Sequence, residues 1–446
     1  MAARRNLAFL LVAAGAAAAR ALWPHVDVLD LKTLTGAKAF HGGFTDGTYG
    51  YTVPFGESPQ NTPAVVARFD LATFSASGTL PLPSPLKGSF QNGFVASGYG
   101  YLVPSEMEQA NGSFVRFSLA EFSTTSISKL DIPLKVGNGF WGGFSHAFVD
   151  GDYAYLVPHY ERAIDHHGKV VRVDLAAFDV TPSDVLDLAT IDGQLVRFSH
   201  GFAYNGYGYL IPQRNSKVAR FHLGAFSVDF VESLDLQAVG FEGGFMQGDY
   251  GFALAAASKK VYRFGLAEFS TYDVLNLGVV AGVAVAWNFK AAFTDGFYGY
   301  ALPEESTLLA RFKLDFSTVD TLNLADANSN LRGLTGFAYG SYGYLLTAGT
   351  TQGLVARVDL SMPPTSTFTS TTATSSTSTA TSSTSTATTT TRTMSTSIAR
   401  ATGGKATGTS NHSGAGGQCI QLTKEDHLRL AANGLRLGKS KLGGCR

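Results

Sequence analysis

Gly201-Phe202-Ala203-Tyr204-Asn205-Gly206-Tyr207-Gly208-Tyr209-Leu210-Ile211-Pro212, followed by Lys217-Val218-Ala219-Arg220-Phe221-His222-Leu223, is the stretch whose reading decides the fold. Asn205-Gly206 lies between two short apolar runs. Asn-Gly in that setting is a strong hairpin signal, because both turn positions need positive φ. Tyr207 to Ile211 is then a second strand, stopped by Pro212. After a polar loop, Gln213 to Ser216, residues Val218, Arg220 and His222 alternate with Ala219, Phe221 and Leu223, which is the period of a third strand. A turn from Gly224 to Asp229 leads to a fourth strand near Phe230 to Leu236. The unit is four short strands with no helix-length periodic segment.

The unit recurs seven times. The last aromatic of a Tyr-Gly-Tyr-like element falls at Tyr51, Tyr101, Tyr155, Tyr209, Phe252, Tyr300 and Tyr344. Each is followed by an arginine of the third strand: Arg68, Arg116, Arg172, Arg220, Arg263, Arg311 and Arg357. The spacing of 43 to 54 residues is that of a β-propeller blade. The ends of the array predict its closure. An orphan fourth strand, Val26 to Leu31, precedes the first unit, and the last unit stops after its third strand, Val355 to Leu360. The expectation is therefore an all-β, seven-bladed propeller of four-stranded blades over residues 22–362, with one blade completed from both termini so that no edge stays open.

The flanks differ in kind. Arg4 and Arg5 before the apolar stretch Asn6 to Ala19 read as a secretory signal over residues 1–21, with cleavage before Leu22 after Ala19-Arg20-Ala21. That stretch is short for a membrane span, no other segment is long enough, and no apolar C-terminal tail directs a lipid anchor. Residues 363–413 are a Thr/Ser-rich segment too poor in apolar residues to build a core, read as a disordered, mucin-like O-glycosylated stalk. Residues 414–446 form a small basic segment carrying both cysteines, Cys419 and Cys445, which would pair in an oxidising compartment. Its lysines and arginines offer contact to an acidic polymer. Asn111 and Asn411 are N-glycosylation acceptors on a secretory route. Formal net charge is zero, which argues against nucleic acid as the main partner. The glycine groups end hairpins and do not open helices, so no nucleotide loop is present and no cofactor is expected.

Residues common to every unit are scaffold, the seven arginines included, pairing with acids or carbonyls between blades. Residues that vary at one aligned position are the candidates for function. If the first strand of each unit is innermost, the positions three and two residues before its shared Phe lie at one end of the central channel. They read His41-Gly42, Gln91-Asn92, Ser145-His146, Ser199-His200, Glu242-Gly243, Lys290-Ala291 and Leu334-Thr335. The ligand-binding candidates are His41, Gln91, His146, His200, Glu242 and Lys290. To these is added Trp141, which precedes the third inner strand and would suit sugar stacking. Glu242 and Lys290 are expected to pair as ions between neighbouring blades. Loops between second and third strands should open at the same end. The third of them carries His159, Tyr160, Glu161, Asp165, His166 and His167. His166 and His167 are weak metal candidates, since adjacent residues on a strand point apart and no closed ligand set is recognisable. No metal is assigned. No nucleophile elbow or cysteine nucleophile occurs, so no catalytic residue is assigned.

The strand order Tyr99-Gly100-Tyr101-Leu102-Val103, Val66-Ala67-Arg68-Phe69-Asp70-Leu71 and Leu186-Asp187-Leu188 resembles the surface-layer and quinoprotein-like seven-bladed propellers of the YVTN type. The resemblance implies an extracellular or periplasmic binding surface and, less often, an enzyme; it transfers no functional residue. The expectation is a secreted or cell-surface module binding a protein or glycan ligand at the channel mouth. The alternative is an extracellular hydrolase or lyase using His146 and His200 there.

Overall fold

The turn chemistry appears as the sequence demands. Asn205 and Gly206 have φ of 47° and 79°, and Ser97 and Gly98 have 49° and 80°, the geometry of a two-residue hairpin turn. The computed structural model describes residues 25–35, 40–55, 64–83, 86, 90–105, 113–137, 143–160, 166–280, 283–284, 288–348, 352–361, 368–369, 373–377 and 381–382. The expected signal peptide, Trp141, Asn111, Asn411, Cys419 and Cys445 lie outside the described residues.

Each unit forms an antiparallel sheet of four strands in sequence order. In blade four these are Phe198–Tyr204, Tyr207–Pro212, Lys217–His222 and Val231–Asp235. The innermost strands of successive blades pack in a circle, that of blade one against that of blade seven. Blade seven consists of Leu334–Tyr339, Tyr342–Thr347 and Leu354–Asp359, completed on its outer side by the N-terminal strand Val26–Asp30. That strand pairs in register from Val26↔Val358 to Asp30↔Leu354. The chain thus closes its ring as the orphan strand predicts.

The repeated Tyr-Gly-Tyr and Arg-Phe elements are two halves of one packing device. In blade two, Gly100 pairs with Phe117 and Tyr101 with Arg116. The Phe117 ring lies over Gly100 so closely that an added Cβ would fall 2.5 Å from its Cζ. The same intrusion, at 2.2 to 2.7 Å, holds for Gly50 with Phe69, Gly208 with Phe221, Gly251 with Phe264 and Gly299 with Phe312. Blade three has Ala154 opposite Val173 instead. A larger residue on the second strand is matched there by a smaller one on the third, so the pair conserves volume.

The arginines bolt neighbouring blades together. Arg116 lies between the Tyr99 ring of its own blade and the Phe178 ring of the next, at 4.6 and 4.1 Å. It also donates from Nη1 to the Leu175 carbonyl at 2.9 Å. Arg68, Arg172, Arg220, Arg263 and Arg357 are sandwiched likewise, with Phe122, Phe226, Phe269, Phe316 and Phe74. Those phenylalanines and Phe178 have φ between 27° and 65°, a costly conformation for a bulky residue. Holding the ring between two blades explains why the turn accepts it. Arg311 precedes blade seven, whose third and fourth strands come from opposite ends of the chain, and it stacks on Tyr298 of its own blade. Five arginines also meet a carboxylate on the outer strand or, for Arg172, in the turn just before it, Arg311 with Asp320 at 3.0 Å among them. The last is Arg357 with Asp27, which joins the two ends of the ring.

In the Thr/Ser-rich stretch the described residues are extended. Phe368–Thr369, Ala373–Thr377 and Thr381–Ser382 lie antiparallel on the outer strands of blades six, five and four. The sequence reading did not anticipate these pairings. Outer strands present unpaired backbone groups that an extended segment can satisfy.

Candidate ligand-binding site

Six of the seven inner strands begin with a register shift. The ladder jumps from Phe40 to Gly42, Phe90 to Asn92, Phe144 to His146, Phe198 to His200, Phe241 to Gly243 and Phe289 to Ala291. The skipped residues are His41, Gln91, Ser145, Ser199, Glu242 and Lys290. A bulge leaves its extra residue out of the ladder and re-aims its side chain, which is why bulges recur beside functional sites. All six skipped residues line one cavity of about 210 Å³ at the channel mouth. Blade seven pairs from Leu334 without a shift and contributes Thr335 and Gly336 to the wall.

The structure therefore brings His41, Gln91, His200, Glu242 and Lys290 together around one space. His146 stands behind them, stacked on His200 with ring centroids 4.0 Å apart and planes 29° from parallel. Its Nδ1 is buried and has no hydrogen-bond partner among the described residues. Desolvation and the neighbouring His200 hold His146 well below the usual imidazole range. Burial alone lowers His200 to about 4, against a small opposing effect of its bond to the Ser199 carbonyl. His41 is lowered to about 4, first by desolvation and then by Lys290. These rings are neutral at physiological pH.

Two lining residues come from the ends of second strands and not from the inner strands. His159 and Gln213 directly follow Pro158 and Pro212, which end the second strands of blades three and four. The Gln213 side-chain oxygen accepts from Arg197 Nε at 2.6 Å and from His159 Nε2 at 2.9 Å. Its amide nitrogen donates to the Glu242 carboxylate at 3.3 and 3.4 Å. The network fixes the position of Glu242. Desolvation raises the Glu242 pKa, with opposing help to the charged form from Gln213. The residue after the second-strand proline was the signal to follow, since it is the next position on the same rim.

Two expectations need correcting. Glu242 and Lys290 do not form the expected ion pair: no contact within 4.0 Å joins them, and the carboxylate bonds to Gln213. Blade geometry places the two on separate bulges, so neither is constrained to reach the other. His167 is not a metal ligand in this arrangement. Its Nδ1 accepts from the Lys169 amide at 3.2 Å and its Nε2 donates to the Gly143 carbonyl at 2.7 Å, which engages both ring nitrogens. Burial lowers it to about 3. No group of three or more metal-ligating side chains occurs among the described residues, and Glu161 and Asp165 of the same loop lie outside them.

No family model matches the chain, and no curated protein sequence matches it. Among solved structures it is similar to Kuenenia stuttgartiensis hydrazine synthase, with a TM-score of 0.52 at 12% identity, over 73% of this chain and 97% of that one. The chain has the seven-bladed β-propeller fold. The Neurospora crassa Pan2 WD40 domain gives a TM-score of 0.49 at 10% identity over 74% and 94% of the two chains. YCF48 bound to D1 peptide gives 0.49 at 9% over 75% and 96%. At such identities the likeness is one of fold, and propellers host many unrelated activities. No helix among the described residues is long and apolar enough to cross a membrane.

Proposed function

We propose that the chain is a secreted or cell-surface binding module that holds a protein or glycan ligand at the polar rim of its channel mouth. The observation that carries this reading is the set of six bulges. The same backbone irregularity, repeated blade after blade, presents His41, Gln91, Ser145, Ser199, Glu242 and Lys290 to one cavity. A scaffold role would favour one residue type at an aligned position, as it does for the arginines. Here the types differ, as recognition of an asymmetric ligand requires. The charged start and apolar stretch before Leu22 support export, and strand order supports kinship with the YVTN-type surface propellers. The hydrolase or lyase alternative draws no support from His146 and His200, which stack face to face and do not both open onto the cavity.

The test is a glycan array and a peptide library probed with the secreted full chain, beside a Gln91→Ala/Glu242→Ala double variant. Selective retention lost in the variant, at an unchanged melting temperature, is the expected result. Retention that survives the double substitution would place the ligand elsewhere and end this reading. Amino-terminal sequencing of the exported protein should begin at Leu22.

A further inference from the structure

The cavity is lined by one lysine, Lys290, whose charge acts on Glu242 from a distance but meets no carboxylate in contact among the described residues. Arg172, Arg220, Arg263, Arg311, Arg357, Lys135 and Lys217 each have a carboxylate within salt-bridge distance. Lys290, half-buried in the lining, has none among the described residues. Glu242, the acid that lines the cavity from the neighbouring blade, is bonded to Gln213. A partly desolvated ammonium with no carboxylate in contact favours an anionic group in the adjoining space.

The other walls ask for something different. The His41 Nδ1 lies 3.1 Å from the Gln91 carbonyl, and the His200 Nδ1 lies 3.1 Å from the Ser199 carbonyl. A carbonyl only accepts, so Nδ1 carries the hydrogen in both rings. Each Nε2 is then a lone-pair acceptor, and burial keeps both rings neutral. The Glu242 carboxylate adds further acceptor sites. These groups are satisfied by hydrogen-bond donors. An acidic peptide side chain supplies only acceptors and leaves the two Nε2 atoms and Glu242 without donors. A ring that carries one carboxylate and several hydroxyls supplies both, and a cavity of about 210 Å³ is of single-residue scale.

We propose that the site takes a uronic acid residue of a glycan, its carboxylate on Lys290 and its hydroxyls on the neutral His41 and His200 rings and on Glu242. The proposal rests on the binding reading above and narrows it to one ligand class.

The experiment titrates the full secreted chain with glucuronic acid, its methyl ester and a glutamate-containing tripeptide by calorimetry. The ester keeps the ring and removes the charge. The acid should bind about tenfold tighter than the ester, the effect of one charge-assisted hydrogen bond. That preference should vanish in Lys290→Gln, persist in Lys290→Arg and weaken as salt is raised. Equal binding of acid and ester would overturn the uronate assignment while leaving glycan binding intact. Binding of the tripeptide in preference to both sugars would also overturn it, in favour of a protein ligand. Binding of none of the three overturns the uronate assignment, and the array then decides separately whether the rim binds at all.

Discussion

Replacing Gly100 by Ala tests whether the repeated glycine is there for space or for backbone freedom. Gly100 does not have positive φ, so alanine suits its backbone. Its Cβ would however meet Phe117 at 2.5, 2.9 and 3.1 Å, the first about 1 Å inside ordinary contact. Phe117 is fully buried and has little room to retreat. Overpacking of this kind costs about 1–3 kcal/mol. Phe117→Val alone leaves a void and costs roughly 2–4 kcal/mol. Together the two changes reproduce the Ala154–Val173 pair that blade three already uses. The double variant should therefore be no less stable than Phe117→Val alone, a favourable coupling of about 1–3 kcal/mol. Calorimetric melting of the four proteins measures it, at roughly 2 °C per kcal/mol for a chain this size. Simple additivity of the two losses would refute the argument, because it would mean that the ring and the absent Cβ do not compete for one volume.

Two further predictions concern closure and pH. Asp27→Ala removes the carboxylate that joins the N-terminal strand to Arg357, and should lower stability by roughly 1–2 kcal/mol, the pair being partly exposed. Amides of Val26–Asp30 should lose hydrogen-exchange protection before those of the inner strands; unchanged exchange there would count against the ion pair as a closure element. Acidification should destabilise the fold between about pH 6.5 and 4, since His41, His159 and His200 fold with pKa values near 4 and unfold to an ordinary 6.5. The unfolded chain binds more protons across that window, so stability is complete above it and is lost as pH falls, by about 1.4 kcal/mol per pH unit for each such histidine. A melting temperature that does not change between pH 6.5 and 5 would show that these rings are not buried as neutral groups.

The scaffold was legible because seven copies of one unit let the chain align with itself. Gly208 with Phe221, the Arg220 position and the orphan strand at Val26 each mean little alone, and become readable when repeated. The binding rim was legible in part, through the same alignment used in reverse. His41, Gln91, Glu242 and Lys290 stand out because their neighbours in the same position are unlike them. The sequence could not say which of two adjacent positions faces the cavity. Strand alternation would send His146 and Ser145 to opposite sides, and only the bulge decides that Ser145 opens inward while His146 lies behind His200. Bulges leave no compositional mark here, since the skipped residues range from Ser145 to Lys290.

The rim is also uneven, and the unevenness carries the argument for recognition. Blade seven, the blade assembled from both termini, keeps its ladder unbroken and offers Thr335 where six others offer a re-aimed side chain. Lys290 sits on blade six beside that gap. The imidazoles of His41 and His200 belong to blades one and four, and Glu242 to blade five. Positive charge and neutral acceptors therefore stand at separate places on one ring. A rigid closed scaffold holds them apart, since each inner strand is wedged between two others and six of the blades are bolted by an arginine to the next. A ligand must match that separation as it enters, because the ring has little freedom to adjust to it. Selectivity at this mouth should accordingly respond more to moving a charge around a ligand than to adding apolar bulk.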